Sequence, residues 1–130
     1  MVFTLLWRQI AAGLSLICCA AAAAGQPISV SQTGAGGLRV QVEAPADAPR
    51  RIFVIHAPPK LVLDVRAHLP DIRQPDLRAG RLFDGWSRVV ADLPGPQVIA
   101  RAAQADGRIA VTTRPATEAA FRAAAALAPA

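Results

Sequence analysis

Apolar and polar residues alternate in short segments along most of the chain, and proline or glycine ends each segment. The alternation is clearest in Leu38–Ala44, and two β-branched segments, Arg51–His56 and Lys60–Val65, follow it. A period of two places one face of each segment in a core and predicts half-buried strands. Because Pro58 and Pro59 separate the last two segments, we predict a hairpin there.

Five further segments have the same character, and turn residues separate them. Asp106–Gly107 predicts a two-residue hairpin turn, Gly80 marks a bulge or a close approach inside a strand, and Leu69–Pro75 reads as a loop. The prolines spread along the chain argue against a long helical bundle, so the predicted fold class is all-β. The five additional predicted strands are Ile28–Ser31, Asp76–Phe83, Ser87–Leu93, Gln97–Ala102 and Arg108–Thr113.

The two halves of this region follow one plan. Arg39–Pro45 and Arg88–Pro94 each begin with a basic residue, alternate apolar positions, and end with an acidic residue and a proline. About 20 residues downstream, each half has a second strand, Lys60–Val65 and Arg108–Thr113. Short strands at regular spacing are typical of a β-sandwich. We therefore predict a small β-sandwich of two similar sheets from an internal duplication of a three-strand unit, with chance similarity of amphipathic strands as the alternative.

The first 24 residues have the pattern of a secretory signal peptide. Arg8 supplies a positive charge near the start, and the uncharged segment Ile10–Ala24 ends in small residues suited to cleavage. This segment is shorter than a bilayer-spanning helix of about 20 residues. We therefore expect cleavage near Ala24, a periplasmic location and no stable membrane insertion after cleavage. The alternatives are an uncleaved membrane anchor and a lipoprotein acylated at Cys18 or Cys19.

These features divide the chain into four parts. Residues 1–24 form the signal helix, 25–36 an N-terminal strand or linker, 37–114 the β domain, and 115–130 an alanine-rich tail. In the tail, Thr117 can cap a helix that the alanines favour, although a short helix is marginal without packing. We predict a helix or a disordered tail that leads into a linker.

Length, composition and charge narrow the classes of function. A chain of 130 residues has room for one ordinary domain, and both cysteines lie in the predicted signal, so no disulfide is expected after export. Without the signal, 13 basic residues, 12 of them arginine, stand against 9 acidic residues. Arginine binds carboxylates and phosphates through two N–H groups, which favours a cell-wall, lipid or polysaccharide partner over nucleic acid. Codon bias in a GC-rich genome is the alternative reason for the arginines.

Residues for the common kinds of catalytic site are sparse. The only histidines are His56, in a predicted strand, and His68, in a loop, which is too few for a zinc site. The glycines at 34–37 do not open a helix, so they do not form a phosphate-binding loop. Asp64 and Asp92 are candidates for acid–base chemistry, but each ends a strand beside arginines, which favours structural ion pairs. We expect no catalytic residues, no metal and no cofactor.

A group of cations and aromatic residues forms the candidate binding surface. Arg78, Arg81 and Arg88 flank Phe83 and Trp86 in the sequence. Guanidinium groups and an exposed indole can hold sugar hydroxyls, stack on the apolar faces of sugars and bind peptide carboxylates. The alternative for Trp86, the only tryptophan after the signal, is a place in the core.

Three motifs around these residues resemble the AMIN domain. They are Lys60–Asp64, Leu77–Gly80 together with Phe83, and Ser87–Pro96, and the resemblance covers Gly37–Thr113. The AMIN domain occurs at the N-terminus of periplasmic N-acetylmuramoyl-L-alanine amidases and in some pilus secretins. The resemblance implies a β-sandwich of two similar sheets that binds peptidoglycan.

The resemblance also implies roles for single positions. Asp64 ends the first motif, and Arg78 and Gly80 carry the Arg-x-Gly motif of the family. Ala91 departs from the larger apolar residue that is usual there. The residues of the family's strand motif are Arg88, Val89, Val90, Asp92 and Leu93.

The expected function is that of a non-catalytic module that binds peptidoglycan and directs an amidase to the division site, where it acts in wall remodelling and septum splitting. Envelope division proteins are further expected partners. The segment Arg114–Phe121 looks like the one that leads into the zinc-binding amidase domain, which these 130 residues do not include. Amidase activity is therefore not expected of this chain. The alternative is a protein-interaction module of an envelope complex, as in secretins, that pairs through exposed strand edges.

Overall fold

Nine strands and one helix form the part of the chain that the computed structural model describes, residues 26–129. The predicted signal peptide, residues 1–24 with its two cysteines, lies outside this range. All eight predicted strands are present with their ends shifted by at most three residues, and the all-β class is confirmed. The elements are β1 (Ile28–Gln32), β2 (Leu38–Glu43), β3 (Arg50–Ile55), β4 (Lys60–Val65), β5 (Ile72–Arg73), β6 (Leu77–Phe83), β7 (Trp86–Asp92), β8 (Gln97–Ala105), β9 (Arg108–Pro115) and α1 (Glu118–Ala125).

Two details differ from the sequence prediction. A ninth strand, β5, lies inside the segment Leu69–Pro75, which was predicted to be a loop, and it pairs with β6. Two residues are too few to show a period of two, so the alternation could not reveal this strand. In addition, β3 ends at Ile55, so that His56 lies in the turn before β4 and not inside a strand.

Strand pairing produces two antiparallel sheets, one with the order β1-β2-β9-β8 and the other with the order β3-β4-β7-β6-β5. Alternate side chains of both sheets join one apolar core, an arrangement consistent with the predicted β-sandwich. The largest fully buried core side chains of the sheets are Val40, Val42, Ile109 and Val111 in the four-stranded sheet and Val54, Leu61, Leu63, Val65 and Val89 in the five-stranded sheet.

The two sheets have matching topologies. The strands β1, β2, β3 and β4 correspond to β6, β7, β8 and β9, respectively. If each strand of the four-stranded sheet is replaced by its counterpart, the order becomes β6-β7-β4-β3, which is the order of the other sheet without β5. The registers match as well, because Glu43 lies opposite Arg108 just as Asp92 lies opposite Lys60. The matched unit contains four strands, whereas the sequence pattern predicted three.

The turn before β2 is held tightly against β9. Gly37 donates its N–H to Oγ1 of Thr33 at 3.1 Å, and Leu38 donates to Oγ1 of Thr113 at 2.9 Å. The Thr113 hydroxyl in turn donates to Oε1 of Gln97, so that this buried polar group is satisfied. A Cβ atom at Gly37 would lie 1.8 Å from the backbone oxygen of Thr113. Only glycine therefore permits this approach of the two backbone segments.

The alanine-rich tail forms the helix α1, which packs on the sandwich. Thr117 caps it by accepting a hydrogen bond from the N–H of Ala120 at 3.1 Å. Phe121 is buried in the common core and meets the ring of His56 edge-on. The helix contacts β3 and β8, the neighbouring edge strands of the two sheets. Packing through Phe121 thus supplies the stability that a short isolated helix lacks.

At eight residues, α1 is the only helix in the range 26–129, and it is neither long enough nor apolar enough to cross a membrane.

Candidate functional site

A row of four residues crosses the outer face of the five-stranded sheet. The registers of β3, β4, β7 and β6 align Arg51, Asp64, Arg88 and Gly80. Since the residues before and after an outward position in a strand point inward, these four share the face turned away from the core. The row places two guanidinium groups on either side of one carboxylate.

Asp64 is completely buried although it lies on an outer face, because the two arginines cover it. Arg88 donates from Nε to Oδ1 at 2.7 Å and from Nη2 to Oδ2 at 2.9 Å, which is the two-pronged geometry of a strong ion pair. Arg51 donates from Nη2 to Oδ2 at 3.1 Å. With both carboxylate oxygens occupied, Asp64 acts as the anchor of an ion-pair scaffold formed by Arg51, Asp64 and Arg88.

The scaffold keeps Arg88 charged. The hydrogen bond with Asp64 raises the pKa of the Arg88 guanidinium, burial lowers it, and the charge of Asp64 raises it further. The stability that accompanies a raised pKa of a cation is fully present below the unfolded-state pKa and is lost as the pH rises through the folded-state pKa. For arginine that range is strongly alkaline. The contribution of Arg88 to the stability of the fold is therefore constant around neutral pH.

A second carboxylate on the same face also holds two cations. Asp92 accepts a hydrogen bond from Nη2 of Arg78 at 3.3 Å and lies 3.7 Å from Nζ of Lys60. These groups are more exposed than Asp64, so the pair adds little stability. Two cations surround each of these two carboxylates, so the two clusters together carry a net positive charge.

Aromatic rings lie beside the scaffold. The rings of Phe83 and Trp86 are 5.8 Å apart at their centroids, and the guanidinium of Arg51 lies 5.6 Å from the Trp86 ring. The guanidinium of Arg88 lies 5.9 Å from the Phe53 ring. Trp86 is half-buried on the outer face and lies outside the core, while Phe83 is 51% exposed. We call the surface formed by Arg51, Phe53, Phe83, Trp86 and Arg88 the aromatic–arginine surface.

The structure brings three of the four candidate binding residues to one face of the sheet: Arg78, Trp86 and Arg88. Arg81 differs, because its register partner on β7 points into the core. Its guanidinium pairs with Asp84 at 2.7 Å, and both side chains are strongly exposed. The Arg81 guanidinium is therefore paired away from the scaffold, although Arg81 lines the same groove as Arg78 and Arg88.

The Asp71 side chain lies close to the backbone of Gly80, and a bulge follows in the same strand. The glycine inside a predicted strand indicated a feature of this kind. A Cβ atom there would lie 2.7 Å from Oδ1 of Asp71, and the irregularity in the β6 register begins one residue later, at Arg81. An open groove of about 570 Å³ runs along this part of the sheet, and Arg78, Gly80 and Arg88 contribute to its lining. The absence of a side chain at Gly80 makes room for the Asp71 carboxylate, which also lines this groove.

Sequence reasoning missed Arg51 and Phe53. Both lie on β3, and the hairpin register places Arg51 opposite Asp64 and Phe53 opposite Val62. The predicted hairpin contained this information, because pairing its two strands symmetrically about the Ala57–Pro58 bond brings Arg51 opposite Asp64.

Comparison of the chain with protein-family models gives no match, and comparison with curated proteins gives none.

Proposed function

We propose that this chain is a non-catalytic domain that binds peptidoglycan through the aromatic–arginine surface. The observation that supports the proposal is the ring pair of exposed Phe83 and half-buried Trp86 beside two oriented arginines. Peptidoglycan offers sugar rings, whose apolar faces stack on aromatic side chains, and peptides, whose carboxylates bind guanidinium groups. One face of the sheet thus has groups for both components of the polymer.

The scaffold leaves donors free for a ligand. A guanidinium carries five N–H donors, of which Arg88 uses two and Arg51 uses one on Asp64. The two side chains remain 40% and 45% exposed, respectively. Because Asp64 fixes their orientation before binding, little side-chain entropy is lost when a ligand arrives.

We infer further that the domain belongs to the N-terminal part of a periplasmic N-acetylmuramoyl-L-alanine amidase that acts in wall remodelling and septum splitting. The support is the AMIN-like set of motifs, which lie on the adjacent strands β4, β6 and β7. In such a protein, hydrolysis belongs to a zinc domain beyond the alanine-rich segment. The role of this chain is then to place that enzyme on its substrate.

We also infer that the sandwich arose by duplication of a four-strand unit. The matching strand orders of the two sheets support this origin. So do the ion pairs at equivalent register positions, Glu43 with Arg108 at 3.3 Å and Asp92 with Lys60 at 3.7 Å.

The first test replaces Trp86 by alanine. Loss of the stacking platform is expected to weaken binding to purified peptidoglycan sacculi by about tenfold, the equivalent of one stacked ring. Co-sedimentation with sacculi over a range of protein concentrations measures this effect, and higher salt should reduce binding because the arginines are partly exposed.

Two comparisons make the result specific. Leu127→Ala removes an apolar side chain that is 86% exposed in the turn after α1, and this variant should bind as the unchanged chain does. Arg81→Gln should have a smaller effect than Trp86→Ala because the Arg81 guanidinium is paired with Asp84. Absence of sedimentation by the unchanged chain at low salt would refute the proposal.

A second candidate function, docking of an envelope protein, is favoured by the open edge of β1. Helix α1 lies against β3 and β8, whereas β1 pairs with β2 on one side and with no other strand among residues 26–129. A partner strand can add to such an edge. This function predicts capture of a protein partner and indifference to sacculi.

A further inference from the structure

The outer face of the four-stranded sheet carries a row that corresponds to the scaffold. Arg39 lies opposite Thr112 across β2 and β9, and Arg101 lies opposite Thr112 across β8 and β9. In the correspondence between β1–β4 and β6–β9, this row is equivalent to the scaffold, and Thr112 corresponds to Asp64. Two arginines thus flank a hydroxyl where the other sheet has a carboxylate.

The missing carboxylate is not replaced from within the described residues. Neither Arg39 nor Arg101 forms an ion pair there. The nearby Arg108 is matched by Glu43 at 3.3 Å, and Asp106 is the one carboxylate among the residues that line the same depression. The two unmatched arginines leave the depression positively charged.

Small side chains make room between these arginines. Ala103 and Ala110 form the next row of the face and correspond to Phe53 and Val62 of the other sheet. The bulky pair covers the outer face of the five-stranded sheet, whereas the two alanines leave a depression of about 390 Å³. We call this depression, lined by Arg39, Arg101, Ala103, Ala110 and Thr112, the arginine groove.

A neutral partner orients one of the arginines. The Gln41 amide lies between two arginines: its oxygen accepts from Nη1 of Arg108 at 3.3 Å or, with the amide turned over, from Nε and Nη2 of Arg39 at 2.8 and 3.0 Å. An amide fixes the guanidinium plane without cancelling its charge. In the turned orientation, Gln41 holds Arg39 ready for an anion that comes from outside the chain.

We propose that the arginine groove binds a carboxylate of a peptide, which occupies the place that the Asp64 carboxylate has in the other sheet. The two guanidinium groups donate to its oxygens, Thr112 offers its hydroxyl, and the methyl groups of Ala103 and Ala110 accommodate a small apolar residue next to it. The site lies on the opposite outer face from the aromatic–arginine surface, so it is independent of the function proposed above.

The test titrates the chain with acetyl-alanyl-alanine and with its C-terminal amide, and follows the Nε–H signals of Arg39 and Arg101 by NMR. The acid should shift both signals, and the amide should not. Arg39→Gln and Arg101→Gln should each weaken binding of the acid by about tenfold, the equivalent of one charge-assisted hydrogen bond. Arg122→Gln, which removes the same charge on α1, should leave binding unchanged.

Acetyl-aspartyl-amide, whose only carboxylate is on a side chain, identifies the source of the carboxylate. Tighter binding of either acid supports the site and names the preferred source. Thr112→Asp places a carboxylate between the arginines and should abolish binding of both acids without lowering the thermal midpoint of unfolding. Equal binding of acid and amide, no binding of either acid, or full binding by the folded Thr112→Asp chain would overturn the proposal.

Discussion

Replacing Gly37 by alanine is expected to destabilise the domain by about 3 kcal/mol, near the upper limit for overpacking. The added methyl group would lie 1.8 Å from the backbone oxygen of Thr113 and 2.7 Å from its carbonyl carbon. Backbone atoms cannot rotate away as the end of a side chain can, so the turn has to move off β9. This movement also breaks the bond from Leu38 to the Thr113 hydroxyl.

Urea denaturation measures the effect as a change in the free energy of unfolding. Gly34→Ala, in the same turn, is the matched control, because its Cβ would have no heavy atom of the described residues within 4 Å. It should stay within about 0.5 kcal/mol of the unchanged chain. Equal stability of the two variants would show that the approach of Gly37 to Thr113 does not constrain the fold.

Replacing Arg88 by methionine is expected to cost about 3 kcal/mol, because the substitution leaves the buried Asp64 carboxylate with one cation. Methionine retains much of the apolar stem, so the loss reports mainly the two hydrogen bonds at 2.7 and 2.9 Å. The remaining partner, Arg51, approaches one carboxylate oxygen only. Chemical denaturation at neutral pH is the measurement.

Arg78→Met provides the control on the same face, since the Arg78–Asp92 pair is exposed and should contribute less than about 1 kcal/mol. Adding Asp64→Asn to Arg88→Met removes the uncompensated charge and should recover part of the lost stability. A cost for Arg88→Met no larger than that for Arg78→Met would contradict the role of Asp64 as a buried anchor.

The strands were predictable where the sequence alternates over five or more residues and a turn residue ends the segment. β2 is of this kind, whereas β4 was indicated by its apolar, β-branched residues and the prolines before it. The Asp106–Gly107 hairpin turn is confirmed by positive φ angles of 54° and 71°. β5 was not predictable, because its partner β6 and not a local pattern makes it a strand. The packing of α1 depends on Phe121, whose burial follows from tertiary contacts that an alanine-rich segment does not reveal.

Part of the candidate site was predictable from alternation alone. Trp86 and Arg88 share a face because the intervening Ser87 and the following Val89 point inward. The position of Arg81 was not predictable, since the register of β6 shifts at that residue. The burial of Asp64 was also hidden, because an acidic residue at a strand end is usually exposed and only the cross-strand arginines exclude water from it.

The two halves of the chain are interleaved in both sheets. The hairpin β1-β2 joins β8-β9 in one sheet, and the hairpin β3-β4 joins β6-β7 in the other. The first half, β1–β4, thus contributes two separate hairpins, and each hairpin pairs with strands of the second half, β5–β9. Neither half contains all the strands of either sheet. For a chain divided between β4 and β5, we expect two fragments that complete their sheets only by associating, so that formation of the sheets would report the association of the fragments.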